Sequence, residues 1–211
     1  MSFADTLAAC RVLPVVTARD EQATLRLADA LQAGGMRAIE ITLRTPAALA
    51  CLRAVKAQVP GLQVAAGTVT DAESVAAAID AGADFCVSPG ISMQMIDACT
   101  SAGVPLLPGV ATPSEVLFGL SRGLSLFKLF PAVPIGGVAL LQALRGPFPE
   151  VRFCPTGGLT ADNFRDFLAL DNVICCGGSW MVSDELIDNE SWQKITQLAR
   201  GAGGGCRLRV V

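Results

Sequence analysis

The sequence predicts an α/β protein, a single-domain (β/α)8 barrel of the TIM type preceded by a short N-terminal helix. Three observations lead there. Short β-rich runs alternate with helical patterns from one end of the chain to the other, the alternation repeats eight times at roughly 24 residues per unit, and nothing in the 211 residues divides them into two parts. Strand–helix alternation implies a parallel sheet with right-handed crossovers. Closing eight units into a barrel removes the edges that an open sheet must protect, and the length suits a barrel with minimal loops, near the lower limit of about 200 residues.

Taken in order, residues 1–10 read as the N-terminal helix. The β-rich runs follow at 11–16, 37–41, 62–66, 85–87, 104–107, 126–129, 151–154 and 173–176. Between them, apolar residues recur at helical spacing in stretches such as 21–33, 46–58, 71–81 and 92–102. Helix starts carry recognisable signals: Thr70-Asp71-Ala72-Glu73 and Thr112-Pro113-Ser114-Glu115 both read as capping boxes, the second with proline at the first helical position. Thr45-Pro46 is a shorter version of the same signal. Glycine follows the helices in Ala33-Gly34-Gly35, Ala81-Gly82 and Ala102-Gly103, where a left-handed cap suits it. The barrel is expected to span 11–200, and 201–211, which opens with Gly201-Ala202-Gly203-Gly204-Gly205, reads as a flexible tail.

Composition removes several functional classes. Apolar residues make up 52% and aromatic residues only 5%, which suits closely packed helices and strands. The longest uncharged stretch, 98–114, is cut by Pro105, Pro108 and Pro113, so no membrane helix is expected. The first residues show no basic region followed by an apolar core, so no secretory signal is expected either. A net charge of −3 with scattered basic residues gives no footprint for nucleic acid. Eight cysteines without a C-x-x-C pair read as buried or free thiols in a reducing compartment, which makes the expected location cytoplasmic. The chain has no histidine and no tyrosine. Ser-His-Asp and Cys-His triads and histidine-ligated zinc are therefore excluded, leaving Lys, Asp, Glu, Cys, Ser, Thr and backbone groups as catalysts.

Against that background Lys128, one of three lysines, stands out within Ser125-Leu126-Phe127-Lys128-Leu129-Phe130-Pro131. An apolar setting penalises the ammonium and favours the free amine, a nucleophile for carbonyl carbons and the basis of Schiff-base enzymes. The competing reading is a lysine that snorkels to solvent or pairs with a carboxylate. In the second run, period two puts Ile39, Ile41 and Leu43 on the helix side and Glu40, Thr42 and Arg44 on the barrel side. Glu40, the only carboxylate set within a strand's apolar alternation, reads as a general base or as the structural ion partner of Lys128. Arg44, about 13 Å further along the strand, could clamp a substrate carboxylate or pack on the following helix. Thr68, in Ala66-Gly67-Thr68-Val69, could add a hydroxyl. The last two runs end in Cys154-Pro155-Thr156-Gly157-Gly158-Leu159 and Cys176-Gly177-Gly178-Ser179-Trp180. Such glycine pairs serve either as plain turns or as the backbone N–H cradle that many barrels use for phosphate.

These stretches, together with Glu40-Ile41-Thr42-Leu43-Arg44-Thr45, Ser88-Pro89-Gly90 and Phe127-Lys128-Leu129-Phe130-Pro131-Ala132, closely resemble the class I 2-keto-3-deoxy-6-phosphogluconate (KDPG) aldolases, which often also cleave 4-hydroxy-2-oxoglutarate (KHG). The motifs occur in the family's order over about 11–200. The resemblance implies a homotrimeric, metal-independent (β/α)8 barrel without cofactor, acting on a phosphorylated 2-keto-3-deoxy sugar acid and releasing pyruvate. It implies Lys128 as the Schiff-base residue and Glu40 as the acid/base. Arg44 and Thr68 would hold the pyruvyl carboxylate, Pro89 would be a further substrate contact, and Thr156 would orient the aldehyde half. Gly157, Gly158, Gly178 and Ser179 would line the phosphate site. The same chemistry on the galactonate epimer, or a non-catalytic barrel that binds phosphosugars, are the alternatives.

Overall fold

The computed structural model describes residues 3–203. Helix α1 (Phe3–Cys10) leads into β1 (Val12–Val16), α2 (Glu21–Ala33), β2 (Ala38–Thr42), α3 (Ala48–Gln58), β3 (Gln63–Gly67), α4 (Ala72–Asp80), β4 (Phe85–Val87) and α5 (Met93–Ala102). The second half continues with β5 (Leu106–Leu107), β6 (Gly109–Val110), α6 (Pro113–Leu120), β7 (Leu126–Leu129), α7 (Gly137–Arg145), β8 (Arg152–Pro155), α8 (Phe164–Leu168), β9 (Cys176–Gly178), α9 (Asp184–Asp188) and α10 (Trp192–Gly203). Every ladder is parallel. Six strands pair in the order β5-β4-β3-β2-β1-β9 and three in the order β6-β7-β8. This is an α/β fold built on a curled parallel sheet. Bridges Phe153↔Val173 and Thr156↔Gly177 connect β8 to the segment that carries β9.

Two of the expected strands differ by more than one residue. The fifth, expected at 104–107, is shortened to Leu106–Leu107, and a further short strand, Gly109–Val110, follows beyond Pro108, which has no N–H to give to a ladder. The last is centred on Cys176–Gly178 rather than 173–176, because pairing with Val12, Leu13 and Pro14 of β1 defines it, not the β-branched Val173 and Ile174.

Two cores follow from the two faces of the sheet. Outward side chains such as Ile39, Ile41, Val64, Phe127, Leu129 and Phe153 pack under the helices. Inward side chains near the strand starts, including Leu13, Ala38, Ala65 and Phe85, pack with Leu7 and Cys10 of α1. Phe3 adds a tilted ring contact to Phe85 at 5.2 Å. The N-terminal helix therefore fills the end of the sheet opposite the loops that follow the strands.

Helix starts show where local signals hold. Thr112 caps α6 in a full capping box with Glu115, with proline in the first turn. The box expected from Thr70 and Glu73 is instead made one residue later, by Asp71 and Ser74. Thr45 does not cap a helix; its hydroxyl donates to the carbonyl of Ala18, and α3 begins at Ala48 without a side-chain cap. Left-handed glycines follow helices at Gly35, Gly82 and Gly103 as expected. Helix α10 continues through Gly201 to Gly203, because Ala199 and Ala202 are buried and Arg165 donates to the Gly201 carbonyl at 3.3 Å, which outweighs the poor helix propensity of glycine. The remainder of the expected tail, 204–211, lies outside the described residues.

Burial works against the Glu115 carboxylate, but the backbone N–H of Ala111 and the hydroxyl and N–H of Thr112 outweigh it and hold the group below its ordinary value of 4.5. A lowered value adds stability above the unfolded-state value, and that stability is lost as pH falls through the folded-state one. Glu115→Ala is expected to lower Tm by about 2–4 °C at neutral pH. In thermal denaturation across the acid range, the difference from wild type should shrink once the pH falls below that ordinary value.

Candidate active site

Strand periodicity brings Glu40 and Lys128 to one place. Both point inward, from β2 and β7, which are not ladder neighbours. Lys128 Nζ donates to Glu40 Oε1 at 3.3 Å, with the two side chains 4% and 1% exposed. On the same face of β7, the Phe130 ring centre lies 5.2 Å from the Lys128 amine. Thr42, the next inward residue after Glu40, is buried and satisfied by donating to the Val16 carbonyl at 3.0 Å.

Beyond this pair the loops supply polar groups. Arg44 Nε donates to Thr68 Oγ1 at 3.1 Å. Thr68 holds φ at 61°, a left-handed conformation unusual for a β-branched residue, and such strain gathers at functional sites. A cleft of about 440 Å³ is lined by Arg44, Phe130, Thr156, Gly157, Gly158, Gly178 and Ser179. Phe130 belongs to both regions, lining the cleft and facing the amine. Thr156 is buried, its hydroxyl donating to the Cys154 carbonyl at 3.3 Å. It packs so closely on β9 that a Cβ at Gly177 would lie 2.2 Å from its Oγ1. The glycine turn at 157–158 takes φ values of 99° and 81°, which explains the glycine pair conformationally. Pro89 is joined to the site through β6: a Cβ at Gly109 would lie 2.2 Å from the Pro89 carbonyl oxygen, and Gly109 pairs with Lys128. A second cleft, of about 430 Å³, lies between the end of β1 and α9, beside Thr17, Arg19 and Asp184; neither cleft is lined by Lys128 or Glu40 themselves, and only the first includes Phe130, which faces the amine.

The thiols beneath the site do not compete with the amine. Burial, with a smaller contribution from Cys154, pushes Cys10 up to about 12, and the Cys175 thiol is raised by its hydrogen bond with Cys154 and by burial. Both stay protonated at neutral pH, and a thiol is a far poorer nucleophile than a thiolate.

The model of the KDPG and KHG aldolase family matches residues 3–198. The chain belongs to this family. It is 45% identical over 197 residues to a KHG/KDPG aldolase of Escherichia coli K12, covering 93% of this chain and 92% of that one. The KDPG aldolase of Legionella pneumophila, solved with pyruvate captured as a covalent carbinolamine, superposes with a TM-score of 0.93 at 40% identity, covering 96% of this chain and 98% of that one. The 2-keto-3-deoxy-6-phosphogluconate aldolase of Zymomonas mobilis ZM4, solved with 3-phosphoglycerate, gives a TM-score of 0.92 at 40% identity, with 99% of each chain covered.

Within this aldolase-family chain the structure gathers the expected residues into two groups, Lys128 with Glu40, and Arg44 with Thr68, Thr156 and the two glycine turns. Sequence reasoning passed over two neighbours. Phe130 shares the inward parity of Lys128, a signal that was present. Gly109 carried none, because the closeness of another strand's atoms is not written in a glycine's own neighbours along the chain.

Thr68→Asn replaces a β-branched residue with one that tolerates the left-handed region. Relief of about 1–2 kcal/mol of strain is expected to leave its Tm at or above wild type. Thr68→Val keeps the branching, loses the hydroxyl, and is expected to melt lower. Paired thermal denaturations of the two variants read the difference.

Proposed function

We propose that Lys128 and Glu40 carry out class I aldol cleavage of 2-keto-3-deoxy-6-phosphogluconate to pyruvate and glyceraldehyde 3-phosphate. The same pair would cleave 4-hydroxy-2-oxoglutarate to pyruvate and glyoxylate. The observation that carries this reading is the buried contact of 3.3 Å between an amine and a carboxylate beside a polar cleft.

The steps follow from the groups in place. The Lys128 amine gives up a proton and forms a bond to the C2 carbonyl carbon, the carbonyl oxygen takes up a proton, and loss of water leaves a cationic imine. Glu40, acting through a water, removes the proton of the C4 hydroxyl. The C3–C4 bond then breaks, its electron pair moving toward the imine nitrogen, so an aldehyde leaves and an enamine of pyruvate remains. Return of a proton to C3 from Glu40, and addition of water to the imine carbon, release pyruvate and restore the amine. Arg44 and Thr68 would bind the pyruvyl carboxylate, which a guanidinium can grip with two parallel donors. Pro89 borders the same end, Thr156 orients the aldehyde half, and Gly157, Gly158, Gly178 and Ser179 present the phosphate end with backbone donors.

In this reading the two sheets are one closed (β/α)8 barrel. Supporting that are the separation of β5 and β6 by Pro108 alone and the bridges between β8 and the segment of β9. Among the described residues no helix is long and apolar enough to cross a membrane. The seven described cysteines are free and buried, which supports a reducing, cytoplasmic setting. The homotrimer implied by the family resemblance belongs to the same proposal, and a single-chain mass in light scattering would overturn that part.

Borohydride reduction in the presence of pyruvate is expected to leave a stable mass on the peptide that contains Lys128; an unmodified peptide would overturn the proposal. Lys128→Met should lose on the order of 10⁴-fold in kcat/KM. Glu40→Gln should lose roughly 10²–10⁴-fold in kcat while the trapped adduct still forms.

A further inference from the structure

Gly67 closes β3 at a position where its backbone does not call for glycine. Its φ is outside the left-handed region, unlike Gly35, where φ is 92° and nothing lies within 4 Å of an added Cβ. The reason for glycine at 67 is on the neighbouring strand. Glu40 pairs with Ala65 and Thr42 pairs with Gly67, so the Glu40 side chain leans two residues toward the strand ends and lies over the Gly67 Cα. A Cβ there would sit 2.3 Å from Glu40 Oε1, 2.6 Å from its Cγ and 2.8 Å from its Cδ, and these are the three nearest atoms. Ordinary carbon contacts begin near 3.5 Å, so even a methyl group would drive the carboxylate back by about 1 Å. The oxygen displaced is the one that meets Lys128 Nζ at 3.3 Å.

We infer that Gly67 is a positioning residue for the Glu40 carboxylate: the missing side chain is the space that lets Glu40 reach the Lys128 amine and the bond to be broken. The inference rests on the acid–base role proposed for Glu40. Hydrogen is the only side chain that leaves this space free, since every other residue begins with a Cβ at the same point. The three atoms nearest to that space all belong to Glu40, so Gly67 acts through Glu40.

The test uses Gly67→Ala, Glu40→Ala and the double variant in the full-length protein, each assayed with 2-keto-3-deoxy-6-phosphogluconate. A displacement of about 1 Å should lower kcat of Gly67→Ala about 100-fold and leave KM within about twofold of wild type. Borohydride trapping of pyruvate on Lys128 should still reach the wild-type final extent. In the Glu40→Ala background the new methyl meets no carboxylate. There Gly67→Ala should change kcat by less than about twofold and leave Tm where Glu40→Ala alone puts it. That comparison of Tm values decides the matter even if Gly67→Ala alone is too unstable to assay. Wild-type kcat in Gly67→Ala would overturn the inference, as would equal losses of kcat or Tm from Gly67→Ala with and without the Glu40 side chain. Full activity in Glu40→Ala would instead overturn the acid–base role, and the inference with it.

Discussion

An amine and a carboxylate facing each other in the interior of a parallel sheet is the constraint to which the rest of this structure answers. Taking both groups out of water costs several kcal/mol per ion, and a buried pair rarely returns that as stability. In the proposed reaction its justification is chemical. A carbonyl carbon brought to Lys128 would meet a nucleophile, with the carboxylate that would receive or return the proton in contact with the amine at 3.3 Å. Neighbouring strands are shaped around the pair: β3 ends in a glycine where Glu40 lies, β6 begins with a glycine beside Lys128, and Phe130 presents its ring to the amine.

The division of the sheet interior into two layers follows from the same constraint. Near the strand starts the inward residues are apolar or thiols, and α1 packs on them with Leu7, Cys10 and Phe3. That end is filled by buried apolar side chains, and the polar cleft lies among the loops after the strands. There Arg44, Thr68 and the two glycine turns add donors of graded reach, from a long guanidinium to backbone N–H groups. The apolar layer thus supplies the stability that the charged layer does not.

Much of the site was legible along the chain because strand geometry has a period of two. Once residues 37–41 and 126–129 were read as strands, Glu40 and Lys128 had to face the same side as Thr42 and Phe130. The Thr112 box was equally legible, since its signals are contained in four successive residues. Thr45-Pro46 misled because its hydroxyl found a partner in Ala18, far away in sequence and adjacent in space. The end of the last helix misled for a similar reason: packing of Ala199 and Ala202 carries α10 into glycines that would not favour a helix on their own.

The sequence by itself determined the order of the elements, the faces of the strands, and the exclusion of imidazole and phenol chemistry. These are properties of composition and of short periodic windows, and local backbone sterics enforce them. Only the tertiary structure decided that an amine and a carboxylate 88 residues apart meet at 3.3 Å, that Thr68 is held in a left-handed conformation, and that Gly67 is glycine for the sake of Glu40. Such facts depend on where the sheet brings distant strands, and on the absence of atoms at one residue making room for those of another.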